Sequence, residues 1–324
     1  MHVPDCGDVE YVRPRLAVSS CLLGQAVRYD GCHKRHAWLV DTLGRCVDFM
    51  PLCPEVSIGL GIPREPVHLT GDPVNPRVHS VNDPQRDVTA ALQAEGRAVS
   101  ATLGGVAGYV FKSRSPSCGL FHVGVLTESG STVRSGRGVY ARAILEACPY
   151  LPVEEECRLN DVALRENFVS RCYTYQRWLS VCAAGLSAQR LLDFHARHKY
   201  LLMAHSTDAC RHLGQLLSTL QDADLHVLAS EYLAGVMTAL EQASGTQRHI
   251  KVLQQILGYL KRRIAATDMD ELLEVLDAYR RDKVPLAVPV RHLRRHVHRC
   301  PDEYLGMQCY LWPYPDELGL RNYL

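Results

Sequence analysis

The chain reads as an α/β protein, a doubly wound, mostly parallel sheet, followed by a mainly α-helical domain. Three observations predict this. Short apolar, β-favouring runs alternate with helix-period segments through the first half. That alternation implies parallel strands joined by crossover helices. From about residue 157 onward the periodicity is helical, with no strand signal of similar quality. The expected division is an α/β domain over 12–158 and a helical domain over 159–324.

The elements follow in order. Residues 15–20 (RLAVSS) read as a strand running into Cys21-Leu22-Leu23-Gly24, a turn. Segment 36–46 (HAWLVDTLGRC) has apolar residues at helical spacing, and 46–52 (CVDFMPL) reads as a second strand ending at Cys53-Pro54-Glu55. The Pro-rich interval PVHLTGDPVNPRVHS suggests a hairpin or excursion around Gly71-Asp72. Residues 86–103 look helical, although Gly96 sits inside them. Strand 106–112 then leads through SRSPS to Cys118, and 122–126 (HVGVL) is a further strand candidate. A helix over VYARAILEAC and a short strand in PYLPVEEE complete this half, which has a Rossmann-like order. In the second half, 157–183 is one long helical pattern, and a helix capped by Ser187 follows. Periodic segments continue through 209–242 and 248–265. No internal repeat or low-complexity tract is present.

Composition narrows the function classes. The 324 residues are 47% hydrophobic and 22% charged with a net charge of +1, so no global charge favours nucleic acid or a membrane. The amino terminus lacks a cationic start followed by an apolar core, and no apolar run approaches a membrane span. The expectation is a cytoplasmic protein with no membrane or protein partner.

The 13 cysteines are odd in number, irregular in spacing and form no CxxC pair, which argues against a disulfide framework, a zinc ribbon and a thioredoxin-type site. Cys46, Cys148, Cys172, Cys182 and Cys210 read as inert buried residues. Cys21, Cys53 and Cys118 differ, because each directly follows an expected strand. They are 32 and 65 residues apart, so only the fold can join them. In a doubly wound sheet the ligand crevice lies beyond the carboxyl ends of the strands. Three converging thiolates lack the histidine that a structural zinc site would want and the fourth cysteine of most iron–sulfur clusters. A 4Fe–4S cluster on three cysteines keeps one iron open, a thiophilic Lewis acid. The alternative is three unrelated buried thiols. Cys32 is a rival as fourth ligand or sulfur acceptor, and Cys6 is discounted.

SSCLLGQAVRYDG (19–31), PLCPEVSIGLGIPREP (51–66) and KSRSPSCG (112–119) together resemble the thiouracil desulfidase (TudS-like) family, in order and over roughly 12–160. The second half, with DFHARHKYLLMAHS and YLWPYPDELGLRNYL, resembles the domain fused to that unit in bacterial tRNA 4-thiouridine desulfidases (RudS-like). The resemblance implies a 4Fe–4S cluster held by Cys21, Cys53 and Cys118, and a thiocarbonyl sulfur leaving as hydrosulfide while water supplies oxygen. Glu55, two residues after Cys53, is the candidate general acid/base; its alternative is capping a helix or pairing with Arg64. Ser115 is a candidate to donate to the base or position water, or a turn serine before Pro116. Arg28 and Lys112 are candidate substrate contacts, or solvated cations.

The implied partner is tRNA. From 242 to 267 there are five basic residues and no acidic one, and from 280 to 299 seven arginines and lysines face a single Asp282, with His292, His296 and His298 interleaved. Such a concentration suits a phosphate-rich partner or a solvated face balanced by the acidic run 268–277. The candidate RNA contacts are Lys199, Lys261, Arg262, Arg263, Arg294 and Arg295. Tyr259, Tyr310, Trp312 and Tyr314 are either base-stacking residues or core. His195 and His198, with Lys199 and His205, offer metal binding, RNA contact or structural hydrogen bonds. The readings to separate are a tRNA desulfidase, a desulfidase of free thiouracil or thio-nucleotides, a hydro-lyase using an open iron, and a non-enzymatic iron–sulfur sensor that binds nucleic acid.

Overall fold

The computed structural model describes residues 11–322. They fall into two compact units, 13–161 and 162–322, the latter joined by Tyr11 and Val12.

The first unit is built on a four-stranded parallel sheet. Its central strand β1 (Arg15–Ser19) is buried from Leu16 onward, as expected of a strand covered on both faces. β2 (Asp48–Leu52) lies on one side of it, and its Pro51 is tolerated because β2 is an edge. Between β2 and the next sheet strand come a short helix α1 (Pro54–Ser57), a hairpin of β3 (Val67–Thr70) and β4 (Arg77–Ser80), and helix α2 (Thr89–Ser100). The fully buried β5 (Gly108–Phe111) then pairs with the other side of β1. The winding therefore reverses at β1, which opens a crevice at the strand ends there. β6 (Val123–Leu126), β7 (Thr132–Gly136), α3 (Val139–Ala147) and β8 (Val153–Glu155) follow, and β8 closes the order β2-β1-β5-β8.

Three details differ from the sequence reading. HVGVL is a strand, but β6 belongs to a second, mixed sheet of order β4-β3-β6-β7 and not to the parallel sheet. Its partner β7 was not expected, since four of its five residues are exposed and carry no apolar alternation. Segment 36–46 is not a regular α-helix. Its start is tied back by His36 N–H to Leu22 O, and it forms a π turn over Trp38–Thr42 and a 3₁₀ turn over Leu43–Arg45. Gly96 is explained by packing. A Cβ there would lie 2.7 Å from Ala143 Cβ and 2.9 Å from Tyr140 O, so only glycine lets α2 and α3 approach this closely.

The second unit is helical: α4 (Val162–Ala183), α5 (Ala188–His205), α6 (Thr207–Leu217), α7 (Leu225–Glu241), α8 (Thr246–Leu260), α9 (Ala266–Arg280), α10 (Ala287–Arg299) and a short α11 (Glu303–Gly306). Ser187 caps α5 by accepting from Arg190 N–H, as its sequence position suggested. Trp178, Phe194 and Tyr232 form an aromatic cluster inside it. Arg321 and Glu166 form a buried ion pair at 3.1 Å, and Glu166 also accepts from Tyr314 Oη at 2.8 Å. No helix among the described residues is long and apolar enough to cross a membrane.

Candidate active site

The three cysteines stand where the ends of three adjacent strands, β2, β1 and β5, put them. Cys21 lies in the 3₁₀ turn that follows β1, Cys53 is the N-cap residue of α1 directly after β2, and Cys118 ends the loop from β5. All three line one cavity of about 490 Å³, together with Arg28, Glu55, Arg64, Lys112 and Ser115. Among the described residues no other thiol lines it. Cys32 is exposed outside this lining, and Cys6 lies outside the described residues.

Burial dominates the thiol electrostatics. It pushes Cys21 up to about 11 and raises Cys53, and it drives Cys118 well above the ordinary thiol range, with Glu55, Cys53 and Cys21 adding to the last effect. Cys21 feels Cys53, and Cys118 feels both Cys53 and Cys21, which places the three in one electrostatic neighbourhood. Even so, among the described residues the three sulfurs are not gathered within 4.8 Å of one another. Sulfurs around a single tetrahedral zinc, at ~2.3 Å from the metal, would be about 3.8 Å apart.

The loop that carries Cys118 is held from several sides. Ser115 Oγ accepts from the amides of Ser117 (3.2 Å) and Cys118 (3.1 Å), so this serine forms the turn. The first turn of α3 binds the same loop: Val139 N–H donates to Pro116 O and Ala141 N–H to Ser117 O. Gly138 makes that possible, because a Cβ there would lie 2.4 Å from Ser117 O and 2.8 Å from Cys118 N. Gly119 is equally confined, with Val123 Cγ2 at 2.5 Å.

Glu55 is fixed through both oxygens. Oε2 accepts from Arg64 Nη2 at 2.5 Å and Nε at 3.0 Å, and Oε1 accepts from Ser117 Oγ at 2.8 Å. Arg64 in turn donates to Val27 O and Gly61 O, which anchors it at the cavity wall. The pairing with Arg64 considered from sequence is thus present, and it aims Glu55 at the same cavity as the cysteines.

Lys112 is also engaged. Its Nζ donates to Glu156 Oε1 at 2.5 Å and to Ser113 O and Oγ. Arg28 lies 3.7 Å from Asp30 and at the face of Tyr29.

Sequence reasoning missed the support at the end of β8. Glu154, Glu155 and Glu156 are all buried. Glu155 Oε1 accepts from the amides of Leu120 and Phe121, while Glu156 accepts from Ser113 N and Oγ. The signal was available: three consecutive carboxylates ending a buried strand cannot all be solvated, so they must bind donors nearby.

The remaining candidates are scattered through the helical unit. Lys199, Lys261 and Arg262 are exposed. Arg263 pairs with Asp302, Arg295 with Glu271, and Arg294 with Asp316 at 2.7 Å while also donating to Leu311 O. Tyr310, Trp312 and Tyr314 are core; Tyr259 is exposed and stacks on Tyr304. His195, His198 and His205 hydrogen-bond to Tyr232 Oη, Phe194 O and Gln242 O, so they act structurally. Of the cysteines expected to be buried, Cys46, Cys172 and Cys210 are, Cys148 is half-buried, and Cys182 is exposed. Cys182 lies in the last turn of α4, where one helix face meets solvent.

Comparison with known proteins bears on both units. The model of a family described as 2-thiouracil desulfurase matches residues 16–156, and that of a protein of unknown function, DUF1722, matches 199–315. The uncharacterised protein YbgA of Escherichia coli (strain K12) is 30% identical over 139 residues, 43% of this chain and 82% of its own. The uncharacterised protein YbbK of Bacillus subtilis (strain 168) is 32% identical over 157 residues, 45% of this chain and 99% of its own. A solved [4Fe-4S]-dependent thiouracil desulfidase, TudS, is 31% identical over 47% of this chain and 97% of its own, with a TM-score of 0.38.

Proposed function

Because the chain belongs to the 2-thiouracil desulfurase family through residues 16–156, we propose that it removes sulfur from 4-thiouridine in tRNA, leaving uridine and hydrosulfide, at a 4Fe–4S cluster held by Cys21, Cys53 and Cys118. The observation that carries this reading is the convergence of those cysteines, from three strand ends, on one cavity that Glu55 also lines. The donor set fits the cluster: three thiols and no fourth among the described lining residues.

When bound, such a cluster supplies one iron without a protein ligand, a Lewis acid with an affinity for sulfur. The net change is C=S plus water to C=O plus hydrosulfide and a proton, so no electrons are consumed. In this reading Glu55 Oε1 takes the proton from the attacking water. Arg64 and Ser117 hold that carboxylate in place, and Ser115 holds the turn that presents Cys118. Lys112 and Arg28, both at the cavity wall, contact the uracil edge or its phosphate. A base stacked in folded RNA must leave its stack to enter such a cavity. Lys199, Lys261 and Arg262, exposed in the helical unit, serve in the proposal as phosphate contacts, with Tyr259 as a stacking surface.

The test is anaerobic reconstitution with iron and sulfide, then incubation with bulk bacterial tRNA and nucleoside analysis. Iron-dependent loss of 4-thiouridine with an equal gain of uridine supports the proposal. Conversion of free 2-thiouracil but not of tRNA would move the substrate to the free base. A cluster that forms but converts neither would favour a sensor.

A further inference from the structure

Helices α9 and α10 bring together four side chains of metal-ligand type that the reading above does not use. Asp268 and Glu271 stand at i and i+3 on α9, and His292 and His296 at i and i+4 on α10, so each pair shares one helix face. One ligand atom each from Asp268, Glu271 and His296 lies within 4.8 Å of the other two. His296 Nδ1 is 4.0 Å from Asp268 Oδ2, too long for a hydrogen bond. His292 Nδ1 is 3.2 Å from Glu271 Oε1, yet this buried nitrogen has no hydrogen-bond partner of acceptable geometry. Two donors each about 2.0–2.2 Å from a tetrahedral ion are separated by roughly 3.3–3.6 Å. The two observed separations bracket that value. His296 itself is 1% exposed, and its Nε2 is also buried without a partner.

We propose that Asp268, Glu271 and His296 form a site for a zinc-class divalent cation that clamps α9 to α10, with His292, 3.2 Å from Glu271, turning its ring in as the fourth ligand. Two imidazoles and two carboxylates suit zinc, whereas calcium and magnesium favour all-oxygen shells. The half-exposed Arg295 guanidinium lies 3.1 Å from both Glu271 oxygens, and Arg299 also acts on His296, so arginine balances the two carboxylates until the cation displaces Arg295 from Glu271. The site is independent of the desulfidase reading and stands if that reading fails.

The test uses the full chain with its cluster already loaded, so that the cysteine site does not take up the added metal. After equilibrium dialysis against Zn²⁺, zinc content is measured for the wild type and for the His292→Ala/His296→Ala double variant. The expected result is one zinc per chain in the wild type that the variant lacks. The zinc X-ray absorption edge should show N/O neighbours at about 2.0–2.2 Å. Equal zinc in both proteins, or a sulfur shell, overturns the proposal. Should the double variant not fold, Glu271→Gln decides: a zinc-dependent rise in Tm seen in the wild type should vanish in this variant, and its persistence there overturns the site.

Discussion

Ser117 Oγ donates to Glu55 Oε1 at 2.8 Å, so the residue before one cysteine of the cavity holds the carboxylate that follows another by two positions. The bond couples the β2 and β5 loops at the point where chemistry is proposed. Ser117→Ala should keep the cluster's absorbance and lower turnover by roughly 10- to 100-fold, the worth of a hydrogen bond to a charged group. Glu55→Gln should lower turnover further, by about 10²- to 10⁴-fold. Single-turnover assays on cluster-loaded protein check both, and full activity in Glu55→Gln would remove Glu55 as the base.

Replacing any one of Cys21, Cys53 and Cys118 with serine should abolish both the cluster absorbance and the activity. Cys32→Ser should retain both, since Cys32 is exposed outside the cavity lining. Iron and sulfide analysis after reconstitution distinguishes the two groups.

Gly138→Ala should act at the cluster although residue 138 bears no ligand. Its Cβ would meet Ser117 O at 2.4 Å, and that backbone cannot retreat without moving Cys118. The expected outcome is a lower iron content per chain with the helical unit's circular dichroism preserved. Normal loading of iron would show that the loop yields more easily than the geometry implies.

Lys261→Glu/Arg262→Glu should weaken tRNA binding and reduce the salt slope by about 2, if both residues contact phosphate. Arg294→Glu should instead lower Tm, because Arg294 binds Leu311 O and Asp316 within its own unit. Filter binding across a salt series, read beside thermal melts, separates the two effects.

Arg321→Met should destabilise the helical unit by about 3–5 kcal/mol, since it leaves Glu166 buried with its ion partner removed. Denaturant titration followed by helical signal measures this, and a change below about 1 kcal/mol would show that Tyr314 and neighbouring groups satisfy Glu166 alone.

Much of the architecture was legible because it rests on local pattern. The buried runs of β1 and β5, the helical period of α4, α5 and α8, and the Ser187 cap were all readable from neighbours within a few residues. What escaped depended on distant partners. β7 carries no apolar alternation and is a strand only because β6 is beside it. Gly96 looked like a helix defect until Ala143 stood against it. Arg263, Arg294 and Arg295, in two basic stretches of the sequence, each meet a carboxylate 22 to 39 residues away, and the Arg295–Glu271 pair matches the alternative of a face balanced by the acidic run 268–277.

The sequence by itself determined the two-part organisation and the choice of Cys21, Cys53 and Cys118, because strand runs and the residues that end them are local features. Tertiary structure decided what those residues face. Glu55 is held by Arg64 and Ser117, Lys112 is held by Glu156, and Asp268 and Glu271 of α9 meet His296 of α10. These pairings depend on which strand ends and helix faces come together, and residues so far apart along the chain are matched only when burial of apolar surface brings their elements into contact.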